Sequence, residues 1–383
     1  MALHFAPEEF ESRLKRLTEE MASRKLDAML IFSQESMYWL TGYDSFGYIF
    51  FQCLVVTREG RLSLVTRSAD LRQAHSTSII KEILVWTDRA GIDPARTLKD
   101  HLFELDLLGS NIGVETGTWG LTARHGNLLE EQLRSFAKLQ EASDLVPLLR
   151  AVKSPAEIAM VRHAAKLADA AWNAALAQTR AGADEAAILA AMQGSVLAAG
   201  GDYPANPFII GSGDDAVLAR YKTGRRVLDE NDQLTLELAG VWRHYHVPLM
   251  DTVVIGAPRP RHLPLFEAAA EAHAAVVEAM RPGNTLGDVF DAHAKVLGDH
   301  GMQAYKLNLC GYSLGATFAP TWMDAPMIHH ASTVEIVPDM VLFGQMMMMD
   351  PETKTAMTLG RSYLTTQSDA EALSEIPITF VTR

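Results

Sequence analysis

Apolar residues in the first 150 positions of the chain recur with two periods that alternate, which predicts helices and strands in turn. An amphipathic helix is predicted over residues 7–25, where apolar side chains are spaced three and four apart at Phe10, Leu14, Leu17 and Met21. Short apolar runs typical of strands follow at 28–32, 49–57, 62–66, 83–86 and 111–115, with a loop through Tyr43 after the first. Further helices are predicted from residue 69, at 94–105 and at 121–136. This alternation is typical of an α/β domain, which we place at residues 1–150.

The pattern changes after Lys153-Ser154-Pro155. The following elements are predicted: alanine-rich helices at 155–181 and 183–199, strands over 207–255, helices at 262–280 and 286–300, and strands from 333 to the end. Helices grouped beside an antiparallel-looking sheet predict an α+β domain over residues 151–383. The two helix pairs, each followed by strands, indicate an internal duplication.

The stretch from Asn231 to Gly256 is predicted to form a β-hairpin with a polar face. Leucines at 234, 236 and 238 alternate with other residues, so Glu237 points away from the leucine face, and Gly240 is expected to make the turn. On the second strand four side chains share one face: His244, His246, Pro248 and Met250. The prediction is therefore that a carboxylate and two imidazoles converge across the hairpin.

Composition narrows the classes of function. The chain has 383 residues, a formal charge of −13 and a pI near 5.5, which argues against nucleic acid as a partner because phosphate binding requires clustered Lys and Arg. Its two cysteines, Cys53 and Cys310, show no disulfide or zinc pattern. The acidic amino terminus does not resemble a signal peptide, and no apolar stretch reaches membrane-spanning length. We therefore expect a cytoplasmic protein without a membrane or nucleic-acid partner.

Several segments together resemble the family of creatinase, aminopeptidase P and prolidase. They are SMYWLTGYDS in the first domain, the junction LLRAVKSPAEIAMVRHAA, the predicted hairpin, GYSLG at 311–315 and the closing strands. The resemblance extends over nearly the whole chain. It implies an amino-terminal creatinase-like α/β domain followed by a catalytic domain with the pita-bread fold.

Peptidases of this family bind two metal ions through two Asp, one His and two Glu. Residue-by-residue matching places those ligands on Glu237, Pro248, Tyr312, Gln345 and Gly360 of this chain. Proline and glycine side chains cannot bind a metal ion, and one carboxylate cannot hold a dinuclear site. The resemblance therefore implies that this chain works without a metal or other cofactor.

A metal-free branch of the family, which includes creatinase and ectoine hydrolase, is the better match. The likeness is closer to ectoine hydrolase than to creatinase, through LTGYD followed by a Gln-Cys pair, GGDYPA at 200–205, Glu-x-Ala-Gly and Tyr-His-x-Pro-Leu. Two positions depart from that branch. Arg220 stands where a catalytic His is expected, and Met250 stands where creatinase has a carboxylate. These departures imply a substrate that differs from creatine and ectoine.

Glu237 and His246 are the predicted catalytic residues. A carboxylate on a strand patterned for burial can act as a nucleophile or as a base with a raised pKa. The alternative for Glu237 is a structural ion pair with Arg220 or Arg243. His246 would move the proton to the leaving nitrogen, against the alternative of a core histidine bonded to a backbone carbonyl. Asp251 and the pair His329-His330 are expected to be structural.

Seven further residues are predicted to bind substrate: Arg220, Tyr312, Gln345, Tyr48, Phe50, Gly360 and His244. Arg220 would bind a substrate carboxylate, and the alternative is a plain surface arginine. Tyr312 and Gln345 would form hydrogen bonds, with aromatic packing the alternative for Tyr312, and Gly360 would widen the pocket. His244 lies near the turn, where solvent exposure is the simpler account. The resemblance places Tyr48 and Phe50 at the active site of a partner subunit in a homodimer, and core packing is their alternative.

The leading hypothesis is a metal-independent hydrolase of a C–N bond in a small cyclic amidine, amide or guanidino acid. A metal-dependent Xaa-Pro peptidase is the second hypothesis, and it requires ligands that the sequence lacks. A lyase is the third, because the same base can abstract a proton from carbon. A binding protein that kept the fold is the fourth.

Overall fold

The computed structural model describes residues 3–220 and 224–383, and the chain divides into two compact units, Met1–Arg150 and Ala151–Arg383. Each unit has its own sheet and its own buried apolar clusters. The predicted fold class, an α/β unit followed by an α+β unit, is confirmed. None of the helices in the described ranges is long and apolar enough to cross a lipid bilayer.

The first unit is a six-stranded mixed sheet with an apolar cluster on each face. Its strands are β1 (Ala28–Ile31), β2 (Cys53–Thr57), β3 (Leu62–Arg67), β4 (Glu82–Trp86), β5 (Asn111–Val114) and β6 (Lys138–Glu141), in the spatial order β4-β3-β2-β1-β5-β6. Its helices are α1 (Pro7–Ser23), α2 (Gln34–Thr41), α3 (Leu71–Thr77), α4 (Pro94–Glu104), α5 (Ala123–Leu133) and α6 (Leu145–Ala151). Successive residues of β1 alternate between the two clusters, as the pleat of a strand requires.

Helix α2 occupies residues that the sequence pattern assigned to a loop. Seven of its eight residues are buried, so it has no polar face and no amphipathic period. It ends at Gly42, whose φ of 80° is the left-handed conformation common at helix ends. The loop assignment was therefore wrong over residues 34–41, because a helix buried on all sides lacks the periodic signal on which the assignment depended, whereas Tyr43 itself does lie in a loop.

The second unit is built around a nine-stranded sheet. Its strands are β7 (Ile209–Ser212), β8 (Asp232–Trp242), β9 (Tyr245–Ile255), β10 (Gly311–Ser313), β11 (Asp324–Ile328), β12 (Val341–Asp350), β13 (Thr355–Leu364), β14 (Glu371–Ala372) and β15 (Val381–Thr382). The main spatial order is β11-β10-β12-β13-β9-β8-β7, with antiparallel neighbours throughout, while β14 pairs with β13 and β15 pairs with β9. Its helices are α7 (Pro155–Gln178), α8 (Glu185–Ala198), α9 (His262–Ala279) and α10 (Leu286–Asp299).

Helix α7 is fixed at its start and against the hairpin by the same carboxylate. Ser154 caps the helix and forms a reciprocal capping box with Glu157, and Pro155 occupies the first turn. The Tyr245 hydroxyl donates to the other oxygen of Glu157 at 2.8 Å. This contact joins the helix to β9 and sets which face of the hairpin is covered.

The hairpin turn begins three residues beyond the predicted one. Strand β8 continues through Gly240 to Trp242, and the turn is made by Arg243 and His244, which both have positive φ. A Cβ atom at Gly240 would collide with the backbone of Ala164 and Ala168 in α7. The prediction that Gly240 makes the turn was therefore wrong: the glycine permits close contact between strand and helix.

Candidate active site

Four neighbouring strands of the second sheet bring a row of side chains into register. Glu237 on β8 pairs with Met250 on β9, Met250 pairs with Gly360 on β13, and Gly360 pairs with Gln345 on β12. Residues paired directly across antiparallel strands point to the same face. Glu237 and Gln345 are therefore on one face, three strand spacings or roughly 14 Å apart along the sheet.

This row lies on the face that the helices leave uncovered. Gly240 contacts α7, and Gly344 lies against Val276 and His273 of α9, so the even-numbered positions of β8 and β12 face the helices. Glu237 and Gln345 are odd-numbered positions and face away from them.

A cavity of about 230 Å³ opens on this face. It is lined by Asn206, Ile209, Ala219, Arg220, Glu237, Leu307, Leu309, Tyr312, Thr321, Trp322, Met323, Gln345 and Met347. Arg220 and Leu307 are exposed and stand at its mouth, whereas Tyr312 and Trp322 are buried. Four of the predicted site residues therefore meet in one small cavity: Arg220, Glu237, Tyr312 and Gln345.

Size alone does not identify this cavity as a site. A larger hollow of about 380 Å³ lies in the first unit beside α5 and the strands β5 and β6. The acids on its wall, Glu130 and Glu141, are exposed or hydrogen-bonded to nearby residues. The smaller cavity differs because it contains a buried carboxylate that faces open space.

Glu237 is that carboxylate. It is only 8% exposed, and burial raises its pKa from 4.5 to about 7, with Arg220 acting in the opposite direction. Across residues 3–220 and 224–383, no group donates a hydrogen bond to its oxygens. Arg243, considered as an ion-pair partner, instead lies with its guanidinium over the ring of Trp242 at the hairpin tip. A buried acid that titrates near neutral pH and faces a cavity is suited to accept a proton from a bound molecule.

Tyr312 faces the cavity from β10, opposite Phe343 of β12. Its oxygen accepts a hydrogen bond from the indole nitrogen of Trp322 at 3.0 Å. Burial raises the pKa of Tyr312 well above its usual value, and the charge of Glu237 raises it further. The phenol is therefore protonated at neutral pH and can donate a hydrogen bond.

Gln345 is half-buried and lines the cavity, whereas Gly360 does not. A Cβ atom at Gly360 would collide with the ring edge of Phe343 and approach Met250. The space that the missing side chain leaves is therefore occupied by Phe343. The structure contradicts the expectation that Gly360 widens the pocket, because a neighbouring side chain fills the gap.

His246 lies outside the cavity lining, and both of its ring nitrogens have protein partners. The backbone N–H of Ala205 donates to Nε2 at 2.9 Å, which places the ring proton on Nδ1, within reach of the His244 carbonyl at 2.7 Å and the Thr317 hydroxyl at 3.0 Å. Burial lowers its pKa to about 3. These contacts do not support a proton-transfer role, and they match the alternative of a core histidine bonded to a backbone carbonyl.

His244 also lies outside the cavity. It occupies the hairpin turn, half-buried, with its ring stacked on Phe318 at a centroid distance of 4.2 Å. Its predicted contact with substrate gains no support from this position.

Tyr48 and Phe50 belong to the first unit. Tyr48 is 9% exposed, and burial together with the charge of Glu35 raises its pKa. Phe50 is 41% exposed, and the guanidinium of Arg67 lies 3.6 Å from its ring centroid. Their contribution to a partner's site stays a prediction.

Asp251 points to the opposite face from Glu237. Its Oδ2 lies 2.8 Å from a guanidinium nitrogen of Arg361, and both side chains are buried. His329 and His330 are exposed, and Nδ1 of His330 lies 2.8 Å from Oδ1 of Asp291, within hydrogen-bond distance. These contacts fit the structural roles predicted for all three residues.

The five positions matched to metal ligands do not form a set of metal-binding side chains. Glu237 is the one carboxylate among them, Gly360 is covered by Phe343, and Pro248 offers no donor atom. Within the described residues, no group of three or more His, Cys, Asp or Glu side chains is arranged to hold a metal ion. The donor set therefore does not fit a dinuclear metal site.

Sequence reasoning missed several residues that line the cavity, chiefly Asn206, Thr321 and Trp322. Asn206 directly follows the GGDYPA segment, so its position beside a quoted motif was an available signal. Thr321 and Trp322 lie in an irregular segment without periodicity, and the sequence contained no signal for them. Asn206 Oδ1 accepts from the backbone N–H of Trp322 at 3.1 Å, which joins the two segments.

Comparison with known proteins relates both units to one family. Residues 159–367 match the model of metallopeptidase family M24, and residues 13–152 match the creatinase/prolidase N-terminal domain. The chain is 27% identical to an ectoine hydrolase of Halomonas elongata over an alignment of 395 positions that covers 98% of each protein. It is 22% identical to an Xaa-Pro dipeptidase of Pyrococcus furiosus, over 80% of this chain and 82% of the relative.

A solved Xaa-Pro dipeptidase from Bacillus anthracis superposes with a TM-score of 0.84 at 19% identity, covering 98% of this chain and all of that one (100%). At this identity the likeness concerns the fold. It confirms the predicted order of an N-terminal creatinase-type domain and a pita-bread domain.

Proposed function

The chain belongs to metallopeptidase family M24, and from this premise we propose that it is a metal-independent hydrolase of a C–N bond in a small nitrogenous compound. The observation that carries the proposal is Glu237, a buried carboxylate with a pKa of about 7 that faces a cavity and has no hydrogen-bond donor in the described ranges. The similarity to an ectoine hydrolase over 98% of the chain supports the same class of substrate.

Glu237 performs the first step in this proposal. As a base it takes a proton from water, whose oxygen then adds to the carbon of an amide or amidine. As a nucleophile it would add to that carbon itself, and water would later release the product. Either route uses the ionised form of Glu237, which a pKa of about 7 makes available at neutral pH.

The remaining cavity residues bind the substrate. Arg220 at the mouth can bind a carboxylate group, and Gln345 can hydrogen-bond an amide or amidine from the far side of the cavity. A volume of about 230 Å³ admits a compound of the size of a small amino-acid derivative. We therefore propose a compact substrate with a carboxylate at one end and a nitrogen-bearing carbon at the other.

A substrate screen tests the activity. Purified protein is incubated with cyclic amidines, ureas, lactams and guanidino acids, and products are detected by mass spectrometry. Glu237→Gln should lose turnover of the best compound, whereas Glu352→Gln, on the exposed turn between β12 and β13, should retain it. Normal turnover by Glu237→Gln would refute the role of Glu237.

Metal independence has its own test. The protein is treated with a chelator, its metal content is measured by mass spectrometry, and activity on the best compound is compared before and after Mn, Co or Zn is added. Full activity without bound metal is expected. Stoichiometric metal together with loss of activity on chelation would instead support the second hypothesis, a metal-dependent Xaa-Pro peptidase.

We also propose a homodimer in which Tyr48 and Phe50 of one chain line the site of the other. Three apolar side chains of the segment 46–50 are exposed in a single chain: Phe46 (75%), Ile49 (57%) and Phe50 (41%). Mixed dimers test this arrangement. Co-refolding inactive Glu237→Gln with an inactive Tyr48→Ala variant should restore part of the activity, and no recovery together with a monomeric mass in solution would contradict it.

A further inference from the structure

The contact between Trp322 and Tyr312 fixes the direction in which the phenol can donate. An indole N–H can only donate a hydrogen bond, so the Tyr312 oxygen accepts and its own proton must point elsewhere. Trp322 is the one hydrogen-bond partner of this oxygen within residues 3–220 and 224–383. Since Tyr312 also lines the cavity, its proton is available to a molecule bound there.

Trp322 is itself held by contacts on three sides, one through its backbone and two through its ring. Its backbone N–H is bonded to Asn206, and the rings of Phe208 and His246 lie with centroids 6.4 Å and 6.2 Å from its own. His246 is in turn fixed by Ala205 and Thr317. An indole constrained in this way cannot rotate away from Tyr312 without disturbing two loop segments.

We propose that Tyr312 is the catalytic acid that protonates the leaving nitrogen and that Trp322 is a positioning residue, which orients the phenol and stabilises the phenolate. The inference rests on the proposed function, because it assigns the second proton-transfer group of that reaction. It replaces His246, whose ring nitrogens are occupied.

The proton balance of the step closes without a further reactant. Ionised Glu237 takes a proton from water as the hydroxyl oxygen bonds to carbon. Tyr312 gives its proton to nitrogen as the C–N bond breaks, which leaves a phenolate that accepts the Trp322 N–H. The proton on Glu237 then returns to the phenolate, so one water is consumed and both residues regain their starting states. A phenol of high pKa can donate here because the departing nitrogen becomes strongly basic as the bond breaks.

The hydrogen bond is tested first, without any substrate. The protein is labelled with ¹⁵N-tryptophan, and Trp322→Phe identifies one indole resonance among those of the six tryptophans. Tyr312→Phe should move that resonance upfield, because the acceptor is removed while the ring remains. An unchanged indole resonance would show that the contact does not exist, and the inference would fail whatever the substrate is.

The kinetics of variants then test Tyr312 as the catalytic acid. For the best C–N compound from the screen, Tyr312→Phe should reduce kcat roughly 10²–10⁴-fold with little change in KM. Trp322→Phe should reduce kcat roughly tenfold to a hundredfold, as expected for one hydrogen bond to a charged oxygen. Trp119→Phe, at an exposed position of the first unit, is the matched control and should have no effect.

An ester analogue with an aryloxide leaving group distinguishes an acid from a structural residue, because that group departs without protonation. Both variants should hydrolyse the ester within about a factor of three of the wild-type rate. Equal losses on the amide and the ester would refute the acid role while leaving the proposed function intact. If no C–N compound is hydrolysed by the wild type, the proposed function and this inference both fail.

Discussion

Replacement of Glu237 by glutamine should make the protein more stable at neutral and alkaline pH. The folded state buries the carboxylate without a hydrogen bond from the described residues, and burial raises its pKa from 4.5 to about 7. Between these two values the folded protein holds a proton that the unfolded chain releases. Ionised Glu237 therefore destabilises the fold increasingly as the pH rises from about 4.5 to about 7.

The size of this effect follows from the two pKa values. Each pKa unit corresponds to about 1.4 kcal/mol, so the penalty reaches about 3 kcal/mol above pH 7 and vanishes below pH ~4.5. Glutamine has nearly the same shape and carries no charge. The stability of Glu237→Gln relative to wild type should therefore increase by about 3 kcal/mol from about pH 4.5 to about pH 8.

Native-state hydrogen exchange of β8 and β9 amides provides the assay, because it reports the free energy of opening for this sheet separately from the first unit. Glu371→Gln is a control for which the opposite dependence of stability on pH is expected. Arg162 hydrogen-bonds Glu371 and lowers its pKa, so that variant should lose stability at high pH relative to wild type. A difference between Glu237→Gln and wild type that does not change with pH would refute the argument that burial controls this carboxylate.

Three further substitutions test the support of the site. His246→Gln should destabilise the second unit by roughly 1–3 kcal/mol, because the Ala205 N–H loses a well-aligned acceptor, and thermal unfolding should detect it. Gly360→Ala should cost roughly 1–3 kcal/mol in urea unfolding, because the new methyl group meets the Phe343 ring, and a double variant with Phe343→Leu should recover part of that loss. Arg361→Met should destabilise the second unit by roughly 3–5 kcal/mol at neutral pH, because it leaves Asp251 buried without its partner. Arg361→Met combined with Asp251→Leu should cost less stability in the same assay. Equal stability of the single and double variants would contradict the last two arguments.

Periodicity predicted the long elements of the fold well because those elements have one buried and one exposed face. Helix α1 shows this, since Phe10, Leu17 and Met21 are buried where the spacing predicts. The method missed β10 and β11, which precede the predicted start of the closing strands. It failed where burial is complete, as in α2, and where a strand has only three residues, as in β10. In both situations the pattern carries too little contrast between polar and apolar positions to define a period.

The predicted convergence of Glu237 and His246 shows the limit of assigning side chains to a face from their odd or even position along a strand. Both residues do face the same side of the sheet, but His246 pairs with Val241, four positions along β8 from Glu237. At about 3.3 Å per residue this separates them by roughly 13 Å. The odd or even position of a residue determines which face its side chain points to. It does not determine which residue lies opposite on the neighbouring strand, because that depends on where the turn occurs.

The row from Glu237 to Gln345 has two polar ends and an apolar middle. Met250 and the ring of Phe343 occupy its middle, where they are 1% and 0% exposed, so the positions between the two polar ends are apolar and filled. An apolar middle surrounds Glu237 with low-polarity groups, which is the physical cause of its raised pKa. A metal ion beside this carboxylate would have the opposite effect and hold it ionised. An apolar row of this kind therefore favours the proton-transfer role that we propose for Glu237 over the metal-ligand role of the position to which the resemblance matches it.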